Sequence, residues 1–183
     1  TTDRVYEEEF AITKGFFWSP DSEKIAFYSF DESNVKEFTI PYYGTLYPIQ
    51  YSYKYPKAGE DNSVIGIHVF DLKTATTHDI DLGPNKDIYV PRLQWTPNNE
   101  VFVHKLNRHQ NHYELFLVNC NDYRLSKIYD ERNECYIEQA ENVTFLADKQ
   151  HFIIKSEKNG YMNLYKVNMY TKQIDPITSG KYD

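Results

Sequence analysis

Three carboxylates in a row, Glu7, Glu8 and Glu9, lie between Tyr6 and Phe10. Like charges side by side repel, so a chain normally spaces or solvates them. Two readings stand: a solvated turn, or a carboxylate clamp that waits for a cation. A primary ammonium has three donors, and two carboxylates can engage it from two sides. Adjacent residues of a flat strand point to opposite faces. A ligand shared by Glu8 and Glu9 therefore requires helical or kinked backbone. At a separation of about 4 Å and an effective dielectric near 20, each charge pair contributes about 4 kcal/mol before desolvation. A glycosidase would need its carboxylates about 5 to 9 Å apart across a bond, which adjacent residues supply poorly.

Other chemistry is thinly represented. The residues two positions after each glycine are Phe17, Leu46, Asp61, His68, Asn85, Met162 and Tyr182. None is serine, so the chain has no Gly-x-Ser-x-Gly hydrolase elbow and no catalytic residue of that type. There is no Walker loop and no HExxH motif. His104, His109 and His112 are close in sequence, but His109 has no Asp or Cys beside it to complete a ligand set; hairpin polar residues are expected there, not a metal. No cofactor is expected. Cys120 and Cys135 form no CxxC pair, and two buried thiols are the expectation. Asn142-Val143-Thr144 is a glycosylation sequon, meaningful only in a secreted eukaryotic protein.

These residues must be carried on something. The chain has 183 residues, 40% hydrophobic and 26% charged, enough for one domain with a core. No apolar run is long enough to span a membrane, and the start does not resemble a signal peptide. The net charge of −7 disfavours nucleic acid as a partner and suits a cationic ligand.

The dominant pattern is short strands rich in β-branched and aromatic residues, as at Ile25-Ala26-Phe27, Val64-Ile65-Gly66-Ile67, Val101-Phe102-Val103, Leu115-Phe116-Leu117, Phe152-Ile153-Ile154 and from Tyr161 to Val167. No apolar repeat at helical spacing extends over a dozen residues. The strands recur as a unit. Trp18-Ser19-Pro20-Asp21, Trp95-Thr96-Pro97-Asn98 and Phe145-Leu146-Ala147-Asp148 each precede a strand. Phe70 to Val118 is 48 positions and Val118 to Val167 is 49. A period of that size holding about four strands indicates a propeller blade. Asn159-Gly160 is expected to form a two-residue hairpin turn. The fold expected is all-β: a partial β-propeller of about three four-stranded antiparallel blades, cut from a larger ring because closure removes bare edges.

The first unit carries an insertion. Tyrosine occupies six of the fourteen positions from Tyr42 to Tyr55. Prolines make this a poor central strand. It reads either as an arm for protein contact or as an insertion folded back on its own blade.

Several strings resemble the propeller of the dipeptidyl peptidase IV family: Val5-Tyr6-Glu7-Glu8-Glu9-Phe10, Phe17-Trp18-Ser19-Pro20-Asp21, Tyr55-Pro56-Lys57-Ala58-Gly59, Leu106-Asn107-Arg108-His109-Gln110-Asn111 and Ser156-Glu157-Lys158-Asn159-Gly160-Tyr161. They span nearly the whole chain in order. The resemblance implies an eight-bladed propeller with a C-terminal α/β-hydrolase domain outside this chain, releasing X-Pro or X-Ala dipeptides from peptide N-termini. It implies that Glu8 and Glu9 hold the substrate's α-ammonium, and that Tyr136 lies beside the second substrate residue. The catalytic triad and one substrate-contacting arginine would lie outside this sequence. The arm from Tyr42 to Tyr55 would contribute to a homodimer, and the compartment would be extracytoplasmic. Ile12 stands where the family can carry a substrate-contacting serine, and the cysteine spacing does not match the family's propeller disulfide. Tripeptide-releasing relatives share much of the pattern with a weaker glutamate run. A propeller serving only as a protein-binding platform would look the same in this stretch.

Overall fold

Three four-stranded antiparallel sheets follow one another along the chain in a computed structural model that describes residues 3–138 and 141–181. Blade 1 contains β1 (Phe16–Trp18), β2 (Lys24–Asp31), β5 (Val64–Asp71) and β6 (Thr76–Ile80), in that spatial order. Blade 2 is β7 (Ile88–Trp95), β8 (Val101–Asn107), β9 (His112–Val118) and β10 (Leu125–Arg132). Blade 3 is β11 (Thr144–Phe145), β12 (His151–Ser156), β13 (Asn163–Asn168) and β14 (Ile174–Pro176). The sheets do not close on themselves, so the chain is an open arc of a propeller, as the 48- and 49-residue spacings predict.

Burial follows the pleat. In β5, Ile65, Ile67 and Val69 are buried while their neighbours are half-exposed, and β9 does the same with Tyr113, Leu115 and Leu117. Strand β8 lies in the middle blade, and Val101, Phe102, Val103 and His104 are all fully buried. Both of its faces are covered, one by each neighbouring blade. Phe102 fixes one of these faces, with edge-on contacts to Phe145 (5.1–5.2 Å for this ring and Phe152) on blade 3.

The aromatic-Ser/Thr-Pro turns repeat one geometry. Ser22, Asn99 and Lys149 each take a left-handed φ near 60° and donate a backbone N–H to the residue three before, Ser19, Thr96 and Leu146. Asp21 and Asp148 accept from their own turns as the sequence predicts. In blade 2 Thr96 does this instead, and the Asn98 amide reaches blade 3 at Lys149 O (2.8 Å).

Three sequence expectations are corrected. Asn159-Gly160 is not a two-residue hairpin: the connection runs over residues 157–162, with Gly160 alone at positive φ and its N–H bonded to Glu157 O (2.7 Å). The strand expected from Tyr161 begins at Asn163. The cysteines are not both buried, because Cys135 is exposed and both are free; burial pushes the Cys120 thiol up to about 11. In keeping with the lack of any dozen-residue helical repeat, the helix among the described residues, α1 (Arg4–Phe10), is only seven residues long.

The insertion in blade 1 forms a separate two-stranded hairpin, β3 (Glu37–Tyr42) and β4 (Ile49–Lys54). Tyr42, Tyr43, Leu46, Tyr47, Ile49 and Tyr51 are exposed along its outer part. It joins the ladder of no blade, its strands pairing with each other.

Candidate functional site

Helix α1 carries the acidic run, and a seven-residue helix is marginal alone, so its position must come from tertiary contacts. Its ends are closed locally. Asp3 caps the N-terminus, accepting Tyr6 N–H at 2.8 Å, and its other oxygen accepts from Ser63 Oγ before β5. At the C-terminus Ala11 turns left-handed, and Ile12 N–H returns to Tyr6 O at 3.0 Å, closing the helix end. Ile12 is buried by this turn and therefore presents no side chain to a ligand.

The docking surface is a bulge in β7. Register shifts between Tyr89 and Arg92, where Pro91 supplies no N–H. The bulge frees Val90 N–H, which donates to the Tyr6 hydroxyl at 3.1 Å. Arg92 then donates to Phe10 O at 2.6 Å, capping the last carbonyls. Tyr6 and Phe10, one turn apart, are buried against Tyr89 and Phe30. Each buried ring contributes about 1.5–3 kcal/mol. Burial and the Asp3 carboxylate hold the Tyr6 phenol well above its ordinary pKa.

With Tyr6 and Phe10 inward, helical geometry sets the rest. Successive residues are about 100° apart, so Glu8 points directly away from the sheet, with Glu7 and Glu9 to either side. All three are exposed. The helical backbone that a shared ligand requires is present. Glu8 pairs with Arg4 (Nη2–Oε1 2.6 Å), while Glu9 has no ion pair among the described residues.

Tyr136 lies elsewhere, on the loop after β10, where it is half-exposed. It lines a small cleft with Glu131, Ile137, Ser156 and Met162. Glu131 is buried there, accepting from Tyr129 Oη (2.6 Å) and Ser156 Oγ (2.7 Å). The acidic helix and Tyr136 thus occupy successive blade junctions, and the cleft containing Tyr136 has no wall from α1.

Three polar constellations need a structural account. Ser29 Oγ is 2.7 Å from His68 Nε2, and His68 Nδ1 is 2.7 Å from Asp79 Oδ1, the atom order of a hydrolytic triad. The three side chains lie on neighbouring strands of one sheet and bridge the β2–β5–β6 ladders, so they form a cross-strand hydrogen-bond chain. His112, Glu114 and Asp130 converge, but the Lys127 ammonium lies 3.2 Å from Glu114 and 2.6 Å from Asp130. The cluster is an ion-pair network with its cation supplied by lysine. His104 is buried between Tyr113 Oη (2.7 Å) and Gln94 Oε1 (3.1 Å). Burial, aided by the nearby Arg92 charge, pushes it down to about 3.

The whole chain, residues 1–183, matches the family model described as the dipeptidyl peptidase IV N-terminal region. The chain belongs to the dipeptidyl peptidase IV family. This dipeptidyl peptidase IV propeller segment superposes on the crystal structure of Porphyromonas gingivalis dipeptidyl peptidase 4 with a TM-score of 0.92 and 36% identity, covering 100% of the segment and 26% of that chain. A putative dipeptidyl aminopeptidase IV from Bacteroides ovatus gives 0.83 at 25% identity, over 93% of the segment and 27% of that chain. Among curated proteins, it is 30% identical to dipeptidyl aminopeptidase B of Saccharomyces cerevisiae over 92% of the segment and 21% of that protein. It is 29% identical to inactive dipeptidyl peptidase 10 of Rattus norvegicus over 99% of the segment and 25% of that protein. The dipeptidyl peptidase IV segment therefore spans about a quarter of the length of its relatives.

Residues missed at the level of sequence are Asp3, Arg4, Ser63 and Arg92, which place the acidic helix. A signal for two of them existed: an N-cap aspartate at position 3, followed by Tyr6 and Phe10 at helical spacing and by Arg4 and Glu8 four apart. Ser63, just before β5, and Arg92, on β7, act from distant parts of the chain and left none.

Proposed function

We propose that this chain is the substrate-anchoring and gating part of the propeller of a serine exopeptidase that releases X-Pro or X-Ala dipeptides. Glu8 and Glu9 take the α-ammonium of a peptide with a free N-terminus and so measure two residues to the scissile bond. Tyr136 lies beside the second residue. Acyl transfer is performed by a serine in a C-terminal α/β-hydrolase domain outside this chain, which supplies the triad and oxyanion hole. The ring has eight blades, and the arm that includes β3 and β4 contributes to a homodimer.

One observation carries the proposal: two adjacent carboxylates stand exposed on a helix whose ends and buried face are fixed by Asp3, Ser63, Tyr6 and Arg92. A flexible acidic loop would have to be ordered by the substrate, whereas this helix is ordered beforehand. In the full-length protein, Glu8→Gln and Glu9→Gln should each lower kcat/KM for a Gly-Pro chromogenic substrate at least about a hundredfold, since a charge-assisted contact becomes a neutral one. Thermal unfolding should barely change. Unaltered turnover in both variants would refute the ammonium site, and preferential release from Ala-Ala-Pro would point to tripeptide removal.

A second reading is a non-enzymatic propeller that binds other proteins. The similarity to inactive dipeptidyl peptidase 10 favours it. A Gly-x-Ser-x-Gly elbow downstream separates the two: its presence supports the peptidase and its absence the platform.

A further inference from the structure

Arg4 stands in the first turn of α1, where the partial positive charge of a helix N-terminus disfavours a cation. Two contacts account for its position. Its Nη2 lies 2.6 Å from Glu8 Oε1, and its Cζ lies 5.5 Å from the ring centroid of Tyr53. Tyr53 is on β4 at the base of the arm, between the rings of Tyr51 and Tyr55 at 5.6 and 5.9 Å. Pairing places Tyr53 opposite Phe38, so the platform under Arg4 is part of an aromatic row.

We infer that Arg4 is a positioning residue for the ammonium site, holding Glu8 in one orientation against the Tyr53 ring. This rests on the assignment of Glu8 and Glu9 as that site. Arg4 approaches Glu8 at Oε1. A carboxylate has two oxygens and about four acceptor positions, so acceptor positions remain for the substrate ammonium. Without Arg4, an exposed glutamate samples several rotamers, and the substrate must freeze them on binding. The planar guanidinium suits both tasks at once, since it stacks on an aromatic face while its edge donates to a carboxylate. A lysine at position 4 keeps the charge and loses most of the stacking.

The test uses steady-state kinetics of the full-length protein on Gly-Pro-p-nitroanilide and on the desamino analogue, which lacks the ammonium. Arg4→Met should raise KM for the first substrate about 3- to 10-fold with kcat within about twofold, the size of coupling expected between groups in contact. The analogue's kinetics should not change. Arg4→Lys should recover part of the loss, and Tyr53→Leu should raise KM in the same direction by less. In a Glu8→Gln background, Arg4→Met should add nothing. An unchanged KM in Arg4→Met, or the same added loss with and without Glu8, would overturn the inference while leaving the ammonium site standing. Full activity in Glu8→Gln would also overturn it, and full activity in Glu9→Gln as well would remove the ammonium site.

Discussion

The two blade junctions solve the same packing problem with different chemistry. Between blades 1 and 2, a helix is clamped onto a strand bulge through its backbone and two buried rings. Between blades 2 and 3, the Phe102, Phe145 and Phe152 rings are accompanied by a polar chain: Tyr113 to His104 to Gln94, with Gln94 exchanging hydrogen bonds with the Val143 backbone at 3.0 and 3.2 Å. Strand β7 serves both, offering the Val90 N–H to the helix and Gln94 to blade 3, while Arg92, on the same face as Gln94, reaches Phe10 O. The first junction therefore holds its exposed side chains on a rigid base. The second presents Tyr136 from a loop held by backbone bonds such as Ile137 N–H to Gln110 O (2.8 Å).

The contrast is broken most forcefully at Tyr6. Tyr6→Ala removes a fully buried ring and leaves Val90 N–H without its acceptor. It should cost about 3–5 kcal/mol in denaturant unfolding of the full-length protein, and the acidic helix should lose its seat. A loss below 1 kcal/mol would show that the helix is not part of the cooperative fold.

The polar junction should instead respond to pH. An unfolded histidine titrates near 6.5, and His104 is held down to about 3. The unfolded state thus binds the extra proton first as pH falls. The stability from neutral His104 is complete above about 6.5 and declines toward 3, by about 2 kcal/mol between pH 7.5 and pH 5. Urea unfolding at those two values should show this drop in the wild type and a smaller one in His104→Asn. Equal drops would mean that His104 does not couple protonation to folding.

The smallest effect is expected at the loop. Tyr136→Ala should alter unfolding by less than about 0.5 kcal/mol, because the side chain is half-exposed, yet raise KM for dipeptide substrates. A stability loss comparable to that of Tyr6→Ala would erase the distinction between the junctions.

How much of this was legible in the sequence depends on range. The blades were, because Trp-Ser-Pro and its counterparts recur with strands at a fixed period and each strand is stabilised by near neighbours. The acidic run was legible as a set of charges, but its backbone was not. Seven residues give less than two full turns of apolar pattern, and Arg4–Glu8 spacing means something only once a helix is granted. The β7 bulge depends on Pro91 and on Tyr6, 84 positions from Val90, a pairing no local rule predicts. Asn159-Gly160 misled because a favoured dipeptide does not determine loop length, and Gly160 alone adopts the left-handed conformation.

Gly66 has a consequence for how this chain can vary. A Cβ there would meet Ser29 Oγ at 2.5 Å and His68 Nε2 at 2.8 Å, so the hydrogen bond passes through the space a side chain would fill. Positions 29, 66 and 68 are therefore coupled: a larger residue at 66 requires the serine and the imidazole to rotate away, giving up their hydrogen bond, or to be replaced. Mutational paths through this blade should be strongly order-dependent, with epistasis arising from a missing methyl group.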